Sequence, residues 1–314
     1  MLQKKQKAQN SKQSLSSLTG SSGLGFFLLV CEKNNLKKYF KRMPELPEVE
    51  TLRRALVPLA EGKILKEANF LRADLRFQIP IETLQLNIFG QKVSEIRRKG
   101  KYLLFQFPSG IMIIHLGMSG RIVQCLSIDP EQKHTHAVFR IEGDIWLHFV
   151  DPRRFGCIVW EPKGTEHKLL RFQGPDPYSP EANAKAMKLS AQRCKGPIKS
   201  FLMNGQRIAG VGNIYACESL FSARINPNRP ANKLSLKSWG KLLSVLRETL
   251  DRSIAAGGTT LKDFSDPSGT VGYFVLQLSV YGREGKACPE CSESVCRIIH
   301  SGRSTFFCKR CQSR

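Results

Sequence analysis

The chain is poor in acid. Of its 314 residues, 49 are Lys or Arg and only 26 are Asp or Glu, a formal net charge of +23. The shortage is not local. Residues 1–42 hold nine Lys/Arg and one Glu, so they supply +8 and leave +15 on the rest. A body with so few carboxylates suits a polyanionic partner, and nucleic acid is the commonest. No amphipathic basic helix stands out, which disfavours a membrane-surface protein. Long apolar runs are also lacking. The run from Phe26 to Cys31 is too short to span a membrane, and no small-residue cleavage site follows it. It is Lys-rich where a mitochondrial presequence would carry Arg. A disulfide framework is missing too. Cys31, Cys125, Cys157, Cys194, Cys217 and Cys296 are scattered without pattern, which fits a reducing compartment. His115, His134, His136, His148, His167 and His300 have no metal-ligand spacing with the cysteines.

What remains is long enough for two domains and a small module, with 41% apolar residues to build cores. Residues 1–42 are Ser/Lys/Gln/Asn-rich as far as Ser22, a composition that predicts disorder. The expectation is that they reflect start-site choice and that the functional chain begins at Met43. A true extension, removed by processing, is the alternative.

The stretch Met43-Pro44-Glu45-Leu46-Pro47-Glu48-Val49-Glu50 reads like a beginning. Pro47 suits a first helical turn, and Glu48 and Glu50 there complement the helix dipole. Val49, Leu52 and Leu56 form one apolar stripe. If Met43 is trimmed, Pro44 carries a free secondary amine. Such an amine can attack a sugar C1′ and form an iminium that acts as an electron sink. Glu45 could then move protons at the sugar ring oxygen. An ordinary Pro-x-x-Pro turn before a helix explains the same eight residues, and both readings stay open on them alone.

From Gly62 to Trp160 the pattern is mostly β. Tyr102–Phe107 and Ile111–Leu116 read as a hairpin, as do Ala137–Ile141 and Ile145–Val150, and Cys157–Trp160 extends the sheet. Short, regularly spaced strands suggest a sandwich. Arg97-Arg98-Lys99-Gly100-Lys101 is a basic turn suited to a solvated face or to phosphate. Met118 in Gly117-Met118-Ser119-Gly120 and Phe155 in Asp151-Pro152-Arg153-Arg154-Phe155-Gly156 sit at turns, where core packing explains them less well. Gly164 to Pro180 is a Pro/Gly-punctuated linker. Helical patterns follow at Ile198–Asn204, at Asn213–Phe221 after Gly210-Val211-Gly212, and from an N-cap at Ser235 to Gly257-Gly258. Glycines before a helix N-terminus can expose N–H groups to an anion, or simply start a helix. Thr259 to Gly272 is a polar loop.

The C-terminus reads Cys288-x2-Cys291-x16-Cys308-x2-Cys311, a strong zinc signal. Four thiolates close a tetrahedral Zn²⁺ site, so one structural ion is expected. The hairpin between the pairs is too short to hold itself together without it.

These motifs, in this order, closely resemble the bacterial formamidopyrimidine-DNA glycosylases, from Met43 to about Gln312. The resemblance implies an α+β fold: an N-terminal β-sandwich with flanking helices (43–163), a linker (164–180), a helical helix–two-turns–helix domain (181–275) and a zinc-ribbon β-hairpin (276–314). It implies a bifunctional glycosylase and abasic-site lyase of base excision repair, with oxidised purines in double-stranded DNA as substrate. Pro44 would be the nucleophile, Glu45 the proton carrier and Glu48 a supporting carboxylate. Lys101 and Arg303, at the lesion phosphates, would belong to the catalytic set, Asn213 would contact a phosphate, and His115 would bind the DNA. Met118, Arg153 and Phe155 would fill the gap left by the flipped base, with Arg154 beside them on the DNA, since unstacking costs a few kcal/mol that apolar wedges offset. Lys262 would lie near that base. A monomer in the bacterial cytoplasm, at the nucleoid, is expected. The related endonuclease VIII type prefers oxidised pyrimidines, reads Pro-Glu-Gly-Pro where this chain has Leu46, and lacks the Arg153-Arg154-Phe155 plug. A zinc-ribbon DNA-binding protein without catalysis is the rival, and it becomes correct if residues 1–42 stay attached, because Pro44 is then an amide.

Overall fold

The computed structural model describes residues 44–125, 127, 133–258 and 278–313. Helix α1 (Leu46–Ala60) starts at the proline-flanked stretch, with Glu45 as N-cap. The Glu48 carboxylate accepts the Glu45 N–H at 2.9 Å, one half of a capping box. Val49, Leu52, Leu56 and Ala60 are buried along one face. Strand β1 (Leu65–Phe70) and helix α2 (Ile81–Ile88) follow. Then come β2 (Glu95–Lys99), β3 (Tyr102–Phe107), β4 (Gly110–His115) and β5 (Arg121–Cys125). β6 (Thr135–Ile141), β7 (Ile145–Val150) and β8 (Cys157–Pro162) complete the strands of this part.

They form two antiparallel four-stranded sheets, β1-β6-β7-β5 and β2-β3-β4-β8. Phe105, Phe107 and Ile114 of one sheet share a core with Phe139, Leu147 and Phe149 of the other. The stripe of α1 and Leu84 and Ile88 of α2 close it. Both hairpins read from the sequence are present. β8 joins β4 of the first hairpin rather than continuing from β7, so it returns the chain to the other sheet.

After α3 (Lys168–Arg171), a helical part contains α4 (Ala184–Ala191), α5 (Ile198–Leu202), α6 (Asn213–Ala223) and α7 (Leu236–Ala255). Ser235 caps α7 by accepting the Ser238 N–H at 3.1 Å. Trp239, Leu242, Leu246 and Leu250 face its core, as the periodicity requires. Leu46 of α1 is fully buried in that same helical core. The N-terminus of α1 thus belongs to the second part of the chain, while its body belongs to the first. Strands β9 (Val295–His300) and β10 (Arg303–Cys308) make the C-terminal hairpin. No helix among the described residues is long and apolar enough to cross a membrane.

Candidate active site and nucleic-acid face

The N-terminus of α1 is clamped to the segment 210–215. The Leu46 N–H donates to the Gly210 carbonyl at 3.0 Å. Gly210 has φ +82°, and a Cβ there would lie 2.8 Å from Leu46, so glycine is required twice over. Two residues on, a Cβ at Gly212 would lie 2.2 Å from the Glu45 carboxyl carbon. That space belongs to the carboxylate. Glu45 accepts the N–H groups of Ile214 at 3.0 Å and Tyr215 at 3.4 Å. The glycine-flanked start of α6 therefore does receive an anion, and the anion is internal.

Burial raises the Glu45 pKa. The Lys101 cation opposes this, Glu48 adds to it, and the two backbone N–H groups oppose it again. Lys101 is lowered by burial, pulled back up by Glu45 and pushed down by Arg303. Four of the predicted residues thus share one electrostatic environment. Glu48 is fully buried and accepts the Tyr215 hydroxyl at 2.8 Å; that hydroxyl also pairs with Ser253 at 2.6 Å. Pro44 is buried beside Glu45. Lys101 is aimed by the preceding turn. Gly100, at φ +59°, sits where a Cβ would be 3.3 Å from Ala209 and 3.4 Å from the Gly210 nitrogen.

His115 lies at the end of β4, its ring 4.7 Å from that of Tyr102. Its Nδ1 accepts the Gly117 N–H at 3.0 Å, so it is neutral. Burial first, then the Lys101 and Arg76 cations, push its pKa down to about 4. The loops bearing Met118 and Phe155 meet here. A Cβ at Gly117 would lie 2.3 Å from the Phe155 carbonyl carbon, so the loop bearing Met118 presses on the loop bearing Phe155. Phe155 is 44% exposed. The Arg153 guanidinium sits 4.8 Å from its ring centre, a cation–π contact. Arg154, at φ +57°, turns instead to Asp74, 3.8 Å away. The second loop is organised by Asp151, which is fully buried. Its carboxylate accepts Ser119 Oγ at 2.6 Å and the N–H groups of Gly156 and Arg153 at 2.8 and 3.2 Å.

Arg303 opens β10 and is exposed. The next residue is held from two helices. The Ser304 carbonyl accepts Asn213 Nδ2 at 3.0 Å and Lys199 Nζ at 3.2 Å. Lys199, fully buried on α5, also donates to Thr305 Oγ1 at 2.8 Å. Glu218 on α6 accepts the N–H groups of Ser279, Val280 and Tyr281 and anchors the approach to the ribbon. Asp151, Lys199, Tyr215 and Glu218 are positioning residues that the sequence did not single out. Lys199 sits in an ordinary apolar helical pattern, and its partners are over a hundred residues away. Lys262 lies outside the described residues.

The Sγ atoms of Cys288, Cys291, Cys308 and Cys311 all lie within 4.8 Å of one another. The Cys288–Cys311 and Cys291–Cys308 separations are 3.9 and 3.5 Å. Tetrahedral Zn–S bonds of about 2.3 Å give edges of roughly 3.8 Å. The cluster can hold a metal ion of that size.

Two family models match the chain: the formamidopyrimidine-DNA glycosylase N-terminal domain over residues 43–158 and its H2TH domain over residues 173–265. Formamidopyrimidine-DNA glycosylases of Acidithiobacillus ferrooxidans and Methylococcus capsulatus are 42% and 43% identical over 271 residues, covering 86% of this chain and the whole of each relative. Among solved structures, the MutM (Fpg) protein of Thermus thermophilus matches with a TM-score of 0.76 and 38% identity, over 86% of this chain and 99% of that one. A Lactococcus lactis FPG mutant in complex with Fapy-dG-containing DNA matches with a TM-score of 0.78 and 29% identity, over 86% of this chain and all of that one. With two domain models in register and full-length relatives above 40% identity, the chain belongs to the formamidopyrimidine-DNA glycosylase family of DNA-repair enzymes.

Proposed function

We propose that this chain is a bifunctional DNA glycosylase and abasic-site lyase that removes oxidised purines through Pro44. The Pro44 nitrogen attacks C1′, the C1′–base bond breaks, and the base departs with a proton. The sugar ring opens to an iminium, with Glu45 carrying protons at the ring oxygen. Loss of the C2′ proton expels the 3′ phosphate. A second elimination expels the 5′ phosphate. The observation that carries this reading is the buried Glu45 carboxylate next to Pro44, held by the Ile214 N–H and facing the Lys101 cation. A carboxylate with a raised pKa is suited to exchanging protons near neutrality.

Lys101, His115, Asn213 and Arg303 take the phosphates, and Met118, Arg153 and Phe155 replace the everted base. Arg154, held by Asp74, supports the plug loop and reaches the DNA backbone from its edge. Lys262, outside the described residues, is read as a DNA-binding residue near the everted base. Leu46 and the Arg153-Arg154-Phe155 plug favour oxidised purines over pyrimidines. Zn²⁺ is the ion that suits four cysteines, and it serves only to hold the hairpin that presents Arg303. Borohydride trapping tests the core claim. A chain whose N-terminal residue is Pro44 should form a covalent adduct with DNA carrying 8-oxoguanine or an abasic site, mapped to Pro44. The intact 314-residue chain should bind the same DNA without trapping. Equal trapping by both would replace Pro44 with a lysine such as Lys101 as the nucleophile.

A further inference from the structure

Between residues 182 and 247 the chain carries twelve Lys or Arg and one acidic residue, Glu218. Glu218 is buried on backbone N–H groups, so the surface of this segment is almost purely cationic. The fold gathers part of that charge onto one strip. The segment from Cys194 to Pro197 runs antiparallel to Pro230–Asn232, with the Asn232 N–H on the Cys194 carbonyl at 3.1 Å and the Ala231 N–H on Gly196 at 3.0 Å. Lys195 lies between the two accepting carbonyls, against the segment that leads into Lys233. Lys233 lies two residues before the Ser235 N-cap of α7, and the start of that helix carries exposed Lys237 and Lys241 one turn apart. All four lysines are exposed, and none has an ion-pair partner among the described residues.

The strip is physically joined to the hairpin that carries Arg303. His300, paired with Arg303 across the hairpin, contacts Asn228 through Nε2 at 2.8 Å. The next residue, Arg229, donates to the Lys233 carbonyl at 3.1 Å. Arg303 is thereby linked through His300, Asn228 and Arg229 to the segment that carries Lys233. Four unpaired cations on a solvated face repel one another, and a phosphate backbone relieves that repulsion while releasing its own counterions.

We infer that Lys195, Lys233, Lys237 and Lys241 form a second contact surface for the phosphate backbone of the same duplex, beyond the base pairs around the lesion. The inference rests on the glycosylase reading for the location of the lesion. It adds a purely electrostatic extension of the footprint, which reads no sequence and lengthens residence on long DNA.

The test uses the zinc-loaded chain whose N-terminal residue is Pro44 and two lesion duplexes, one of about one helical turn and one of about four turns. The wild type should bind the long duplex at least tenfold more tightly at low salt. The variant K195E/K233E/K237E/K241E should lose that advantage while binding the short duplex as before. Its salt slope on the long duplex should fall by about 3 to 4, near 0.9 per lost phosphate contact. Replacement by Gln should give the same direction with smaller size, and single-turnover excision on saturating short duplex should stay unchanged in both, which certifies the fold. An undiminished length advantage in the charge-reversed variant overturns the inference. Should the wild type bind but fail to excise, while the length effect still depends on these lysines, the glycosylase reading falls and the contact surface stands.

Discussion

Adding one methyl group at position 212 should disable the site and destabilise the fold together. Gly212 has φ −126° and ψ −160°, extended backbone that any residue adopts, so Gly212→Ala introduces no backbone strain. Its Cβ would lie 2.2 Å from Glu45 Cδ and 2.4 Å from Oε1. The carboxylate must leave the N-terminus of α6 and give up its bonds to the Ile214 and Tyr215 N–H groups at 3.0 and 3.4 Å. A hydrogen bond to a charged group is worth about 1.5–3 kcal/mol, and the longer bond lies at the weak end. The loss should total roughly 2–4 kcal/mol. For a chain of this size each kcal/mol moves Tm by about 2–4 °C, so calorimetry should show a fall of roughly 4–16 °C. A proton carrier displaced by more than about 1 Å loses on the order of a hundredfold in rate. Glu45→Ala provides the control. In that background the same methyl meets no carboxylate and should cost almost nothing, so the double-mutant cycle should return a coupling of the full 2–4 kcal/mol. A penalty of equal size in both backgrounds, or wild-type excision by Gly212→Ala, would refute the argument that Gly212 exists to admit Glu45.

Three further outcomes are expected. Cys308→Ser should lower zinc content and abolish DNA binding, because Arg303 loses its platform; full metal content with full affinity would contradict this. Met118→Ala with Phe155→Ala should slow base excision from duplex far more than cleavage of a preformed abasic site, measured by single-turnover rates, since only the former extrudes a stacked base; equal losses would assign both residues to the fold. His115 titrates at about 4 in the folded chain against an ordinary 6.5, so the unfolded chain binds the extra proton and stability falls as pH drops from 6.5 towards 4. Denaturation at pH 7 and pH 5 should show the wild type losing roughly 2 kcal/mol more than His115→Gln over that interval; identical losses would show that His115 charges freely in the fold.

Local signals carried the legible part of this molecule. The start of α1 followed from Pro47 and two early glutamates, the start of α7 from Ser235, and the C-terminal hairpin from cysteine spacing. Each of these is decided within a few residues. β1 and α2 escaped because neither has a clean period: Leu65–Phe70 is an edge strand, and α2 leaves Leu86 83% exposed. The site was legible as a set of residues but not as an arrangement. Glu45 meets its N–H partners 169 residues further along the chain, and no pattern near either end announces the pairing. The glycines at 210 and 212 could be read as a helix start open to an external anion. Only the fold reveals that a side chain of the chain itself fills that place. Asp151 shows the same limit. It opens a motif noted for its arginines and phenylalanine, yet it is the carboxylate that shapes the loop.

The balance of charges around Glu45 makes one more outcome calculable in sign. Burial raises its pKa and Glu48 raises it further, while Lys101 and the backbone donors restrain it. Lys101 is itself held down by burial and by Arg303, and up by Glu45. Removing the Lys101 charge deletes the largest restraint on Glu45, so its protonated form gains and its titration moves to higher pH. In the proposed reaction, Lys101→Gln should therefore shift the Glu45-dependent limb of the excision pH profile upward, in addition to any loss of DNA affinity. Single-turnover rates on saturating lesion duplex separate the two effects, because saturation removes the affinity term. Arg303→Gln gives the counter-test. Without Arg303, Lys101 holds its proton more firmly, and the limb should stay where it is or move slightly down. If Lys101→Gln lowers the rate at every pH and leaves the limb in place, Lys101 acts on the DNA alone and Glu45 is tuned by the α6 N-terminus and burial.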